Sequence, residues 1–282
     1  MVERRPLGDI FAYVVLAIGI AVVAFPVYLC FVGSTHEQAV IANGQMPLTP
    51  GPLFFETYYK TLFIGSTGTT REPVARMLLN SALMATTIAL GKIVISILSA
   101  YAVVYFKFPF RMAAFWLIFM TLMLPVEVRI YPTYKLAADL RLLDSYAGLA
   151  VPLIASATAT LFFRQFFMTL PDELIEASKL DGAGPIRFFK DTVLPLSRTN
   201  IAALFVILFI YGWNQYLWPL LITTRDDMQT IVIGIKKMIV TADALTEWNV
   251  VLATAMLAML PPVAVVVLMQ RWFVKGLVET EK

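Results

Sequence analysis

Charged and amide side chains are scarce enough here that each one inside an apolar stretch demands a reason. Lys92 is the only formal charge in the 30 residues from Met77 to Phe106. An ammonium held at mid-membrane costs about 2.5–3.5 kcal/mol on insertion scales. Lys92 therefore faces a wet cavity, pairs with a backbone carbonyl or helix neighbour, or snorkels. In the first case it suits an anionic, phosphorylated substrate. Arg129, in the stretch Pro125-Val126-Glu127-Val128-Arg129, closes another apolar run; it either pairs with Glu127 at the surface or helps to draw an anion inward. A third group, Tyr211, Trp213, Asn214, Gln215, Tyr216 and Trp218, precedes Pro219. Amides supply both donors and acceptors and rings supply apolar faces, a combination that suits polyol and sugar hydroxyls. Asn214 is the preferred contact, with Gln215 beside it. The competing reading is an aromatic belt at the membrane interface plus interhelical hydrogen bonds, which fits Trp218 well.

Other chemistries find few groups. With one cysteine, Cys30, and one histidine, His36, the chain has no internal disulfide and no zinc site of Cys and His alone. No metal or cofactor is expected. The apolar spans carry no interior Asp or Glu, which leaves little for acid–base catalysis or for ion-coupled secondary transport. No G-x-x-x-x-G-K-[ST] loop exists to cradle nucleotide phosphates, so any ATP is bound elsewhere. Serine chemistry is not excluded by counting, but no nucleophile motif is recognisable. A net charge of +3 without a run of five like charges argues against nucleic acid.

The elements that position these residues follow from composition. Of 282 residues, 59% are apolar and 15% charged, and mean hydropathy is +0.77; soluble domains carry about 25% charge. The solvent is lipid, and a bilayer core of about 30 Å needs about 20 apolar helical residues. The expected fold is an all-α polytopic membrane protein, a single domain over 1–282. Its six spans lie near 10–32, 77–105, 108–127, 145–167, 199–221 and 248–270, the third requiring Arg111 to snorkel. Six spans put both termini on one side. Lys and Arg are denser on the side that holds Arg4, Arg5, Arg164, Lys179, Arg187, Lys190 and Arg271, so both termini and the loop between Arg164 and Arg198 are expected in the cytoplasm. The first apolar run is too long for a cleaved signal and reads as a retained helix. The segment from Thr35 to Arg76, with Pro47, Pro50, Gly51 and Pro52, is expected to be irregular or partly ordered.

The inner stretch at 171–195 has its own punctuation. Pro171, Asp172 and Glu173 suit the start of a helix running through Leu180. Asp181 and Gly182 stop it, Gly184 and Pro185 open a second helix, and Pro195 ends that one. Two short helices at an angle are expected, with Leu174, Ala177, Phe188 and Phe189 as an apolar surface for a protein partner.

The order Glu176-Ala177-Ser178, three residues, Gly182, then Leu194-Pro195 resembles the EAA loop of ABC importer permeases. Asp181, Ala183 and Phe188 strengthen the match; Ser178 in place of Ala and Thr192 in place of an aliphatic residue depart from it. The strings LMLPVEVRIYPTY, LDSYAGL, RQFFMTLPDEL and YGWNQYLWPLL are similar to the shorter permease of glycerol-3-phosphate importers, within the carbohydrate class that includes the maltose permeases. This resemblance implies a transport subunit of the bacterial cytoplasmic membrane, not an enzyme. A second permease, two ATPase subunits and an extracytoplasmic binding protein would complete the assembly. It also implies that the loop docks on the ATPase, with Gly182 giving the bend, Phe188 a knob, and Glu176 and Asp181 polar anchors. Glycerol-3-phosphate, glycerophosphodiesters and neutral sugars stay open as substrates, as does a stand-alone carrier.

Overall fold

The computed structural model describes residues 6–66, 72–121, 126–239 and 246–278. The termini at Arg4, Arg5 and Lys282, and Arg71, lie outside the described residues. So do the side chains of Val126 and Glu127, and with them the expected Arg129–Glu127 pair. Among the described residues the chain is helical, without strands. Its helices are α1 (Pro6–Ser34), α2 (Gln38–Ala42), α3 (Phe54–Tyr59), α4 (Val74–Tyr105), α5 (Arg111–Met120), α6 (Val126–Asp139), α7 (Tyr146–Ala150), α8 (Ala157–Phe167), α9 (Asp172–Leu180), α10 (Pro185–Phe188), α11 (Leu194–Leu196), α12 (Arg198–Trp213), α13 (Leu217–Ile222), α14 (Ile231–Ile239) and α15 (Trp248–Val278).

Three of them, α1, α4 and α15, are each long and apolar enough to cross a membrane. They coincide with the expected spans at 10–32, 77–105 and 248–270; the expected span at 199–221, whose uncharged run is longer than that of 248–270, is not a single helix. Elsewhere the expected single helices are interrupted. The 145–167 segment is α7, a 3₁₀ turn at Val151–Leu153 and α8, bent by 49°. Ser156 restarts it, its hydroxyl accepting from the Ala159 N–H at 3.3 Å. The 199–221 segment breaks between Trp213 and Leu217. Pro219 explains that break: in a continuous helix its ring would strike the carbonyl of Gln215. Segment 108–127 contributes the ten-residue α5.

The chain forms two compact units. One comprises 1–76 and 234–260. In it the segment after α1 folds back in order: Gly51 N–H donates to the Thr35 hydroxyl at 2.7 Å, Leu53 N–H to the Thr35 carbonyl at 3.1 Å, and His36 pairs with the Thr49 carbonyl at 2.8 Å. Lys60 and Ser66 both reach the Glu247 carboxylate. The other unit comprises 77–233 and 261–282. Its core gathers Met84, Ile88, Ala137, Leu149, Ala150, Trp218, Ile222 and Met228. Trp218 belongs to that core, 4% exposed, with its indole N–H on the Gly148 carbonyl at 3.0 Å. The interfacial-belt reading of Trp218 therefore fails: its N–H has found an internal acceptor.

Candidate functional site

Lys92 sits within α4 and is 7% exposed. Its ammonium lies over the Tyr211 ring, 3.9 Å from the centroid, a cation–π contact that offsets part of the desolvation. No carboxylate pairs with it among the described residues. Arg129 is exposed on α6. Lys92 is thus a buried cation without a carboxylate partner among the described residues, an arrangement an anion would relieve.

Both interrupted segments lie against α4 around this residue. Gly212 packs so closely that a Cβ there would lie 2.9 Å from the Ala85 Cα, which brings Tyr211 to Lys92. Below, Ser96 donates to the Ser156 carbonyl at 3.1 Å, at the restart of α8. Asn214 and Gln215 occupy the break after α12. Asn214 is exposed and Gln215 half-buried, its amide donating to the Tyr211 carbonyl at 3.3 Å. Interrupted helices expose backbone groups that must be satisfied inside the protein or by a polar cavity.

At the ends of α4 and α6 the chain is tied together by polar bonds. Asn80 donates to the Asp227 and Gln229 carbonyls, each at 2.9 Å, and accepts from Tyr146 at 2.7 Å. The Asp144 carboxylate accepts from Thr224 N–H and hydroxyl, both at 2.6 Å, and from Arg225 N–H at 2.9 Å. Its slight desolvation works upward, but the Thr224 hydroxyl, the two backbone N–H groups and the Arg225 charge outweigh it and hold the carboxyl below its ordinary value. Sequence reasoning missed this clamp, because its members are about 80 residues apart.

The 171–195 stretch forms the expected elbow. Asp172 and Glu173 fill the first turn of α9 and Lys179 its last, matching the helix dipole. Gly182 takes φ +68°; Ala183 N–H bonds the Ser178 carbonyl at 2.9 Å and Gly182 N–H the Lys179 carbonyl at 3.0 Å, a Schellman closure. Two details differ from expectation. Pro195 does not end the second helix: a π turn at Phe189–Val193 leads into α11, and the chain bends by 69° at Ser197 instead. Phe188 is 7% exposed and packs against Tyr105, ring centroids 5.4 Å apart. It faces inward and is no outward knob. The outward apolar groups are Leu180, 89% exposed, and Ile186, 83% exposed, near the exposed Glu176, Ala177 and Asp181. An open depression of 610 Å³ beside them is lined by Gly184, Pro185, Ile186, Arg187, Lys190 and Asp191.

Comparison with known proteins fits this geometry. Over its full length, and over the full length of each relative, the chain is 59% identical to the sn-glycerol-3-phosphate transport system permease protein UgpE of Rhizobium meliloti. It is 58% identical to that of Agrobacterium fabrum and 56% to that of Brucella melitensis, again end to end. A bacterial ABC transporter involved in the import of the acidic polysaccharide alginate has a chain of the same fold: TM-score 0.80 at 19% identity, covering 97% of this chain and 99% of that one. Residues 92–279, from Lys92 through α15, match the model of the binding-protein-dependent transport system inner membrane components. By that match and by its full-length relatives, the chain belongs to this family, as a multi-pass transport component of the inner membrane.

Proposed function

We propose that this chain is one permease subunit of an ATP-driven importer that carries sn-glycerol-3-phosphate across the cytoplasmic membrane by alternating access. The end-to-end similarity to relatives bearing that name carries the reading. Lys92 supports it independently, because a buried cation without an acidic partner among the described residues favours an anion over a neutral sugar. The pathway runs past Lys92, with Arg129 drawing the phosphate in and Asn214 and Gln215 meeting the glycerol hydroxyls.

The chain acts as a single transmembrane domain of six spans with both termini in the cytoplasm. It works with a second permease, two ATPase subunits and an extracytoplasmic binding protein. The elbow enters a cleft on one ATPase subunit. Glu176, Ala177 and Asp181 contact that cleft, Gly182 and Pro195 set the elbow's shape, and Phe188 roots it in the permease.

Vesicles containing the full assembly test the substrate. ATP-dependent accumulation of labelled sn-glycerol-3-phosphate, with weaker accumulation of a glycerophosphodiester and none of maltose, is expected. Accumulation of maltose alone would overturn the assignment.

A further inference from the structure

The elbow is fastened to the helix that carries the buried cation. Tyr101 and Tyr105 lie one turn apart on the last turns of α4, ring centroids 5.1 Å apart, and so share a face. Tyr101 is 7% exposed. Its ring meets Phe189 at 4.9 Å and Phe188 at 6.4 Å, and its hydroxyl donates to the Pro185 carbonyl at 2.7 Å. Tyr105 meets Phe188 edge-on at 5.4 Å and Phe167, at the end of α8, at 5.9 Å. In a regular helix adjacent residues point about 100° apart; here both Phe188 and Phe189 reach the tyrosine pair where the π turn begins. Such turns recur at functional positions in helices.

We infer that Tyr101 is a positioning residue that couples the elbow to the transport pathway: it clasps Pro185, Phe188 and Phe189 to α4, so that the elbow and α4 move as one body. Lys92 lies nine residues up the same helix, about 13 Å along its axis. A displacement imposed on Leu180 and Ile186 by a partner is then delivered to Lys92 through a rigid rod. A hydrogen bond plus aromatic packing makes such a joint directional, whereas apolar contact alone would let the two helices slip. The inference rests on the importer reading above.

The test uses the reconstituted full assembly, with ATP hydrolysis and sn-glycerol-3-phosphate uptake measured together. Tyr101→Phe keeps the ring and removes the hydroxyl; uptake per ATP hydrolysed should fall about three- to tenfold, the range set by one hydrogen bond, while hydrolysis and assembly persist. Tyr101→Leu should lose more, and Tyr59→Phe, at an exposed site, nothing. Unchanged uptake per ATP in both Tyr101 variants would overturn the clasp. A second readout does not depend on the substrate. Spin labels at Leu180→Cys and Leu90→Cys, in a Cys30→Ser background, should keep one separation with and without ATP in the wild-type clasp and broaden with Tyr101→Leu. A shift on adding ATP in the intact clasp would overturn it too. Failure of the unaltered importer to accumulate sn-glycerol-3-phosphate, with the label separation constant, would instead count against the substrate assignment.

Discussion

The proposed preference for an anionic substrate rests, at the level of single side chains, on one ammonium. Lys92 stands out in the sequence because it is the one charge in a long apolar run, but its partner does not. Only folding brings Tyr211, more than a hundred residues away, over the ammonium at 3.9 Å. Charge-assisted bonds are worth about 1.5–3 kcal/mol, so Lys92→Gln should lower uptake of sn-glycerol-3-phosphate at limiting substrate about tenfold or more, and Lys92→Arg should lose less. Initial-rate uptake checks both, and equal rates in all three proteins would remove Lys92 from the pathway. Asp144 yields a prediction of opposite sign from a group outside the spans. Its carboxyl titrates below its unfolded value, so the stabilisation it gives is present above that unfolded value and disappears as pH falls through the folded one. Thermal unfolding of Asp144→Asn in detergent should therefore show a lower Tm than wild type at pH 7, the gap closing toward acid. A gap that widens on acidification would refute the clamp.

At the scale of elements, legibility tracked how local the cause was. The helices α1 and α15 read straight from uncharged apolar runs and α4 from one interrupted only by Lys92, and the elbow from Pro171, Gly182, Gly184 and Pro185, since capping is settled within a few residues. Proline was ambiguous. Pro219 breaks the segment before it, whereas Pro26, Pro132, Pro261 and Pro262 lie inside helices. Whether a freed carbonyl finds another partner is decided by neighbours that the local sequence does not name. Inward and outward faces of the elbow were equally hidden: α4 claims Phe188 and leaves Leu180 and Ile186 exposed. Two substitutions probe these elements. Gly182→Val forces a β-branched residue into φ +68°, a strain on the order of 1–3 kcal/mol, and should leave ATP hydrolysis running while uptake collapses. Gly148→Ala would push a Cβ to 1.9 Å from the Leu142 carbonyl oxygen. Overpacking against backbone costs about 1–3 kcal/mol, so its Tm should fall while the elbow's coupling is untouched.

For the molecule as a whole, composition alone required lipid and helices, while the number and continuity of the spans depended on packing that composition does not encode. The membrane-length stretch of α1 is 0% buried within the chain itself, with Phe11, Tyr13, Ile20 and Val23 all more than 65% exposed. Lipid or another membrane subunit must cover it, since water cannot. The elbow presents the reverse problem: Leu180 and Ile186 stand beside Glu176, Asp181 and Arg187, a mixture too polar for the bilayer core and too apolar to be left in water. A soluble partner resolves it only if the elbow faces the compartment where ATP is made. Lys and Arg favour that orientation by density, though both sides carry several. Leu180→Cys in a Cys30→Ser background should accordingly react with a membrane-impermeant maleimide in inside-out vesicles and resist it in intact cells. In the same preparation a bifunctional crosslinker on that cysteine should capture the ATPase subunit, and excess ATPase added before the maleimide should protect it. Labelling from the outside would reverse the topology and, with it, the direction in which this permease could be driven.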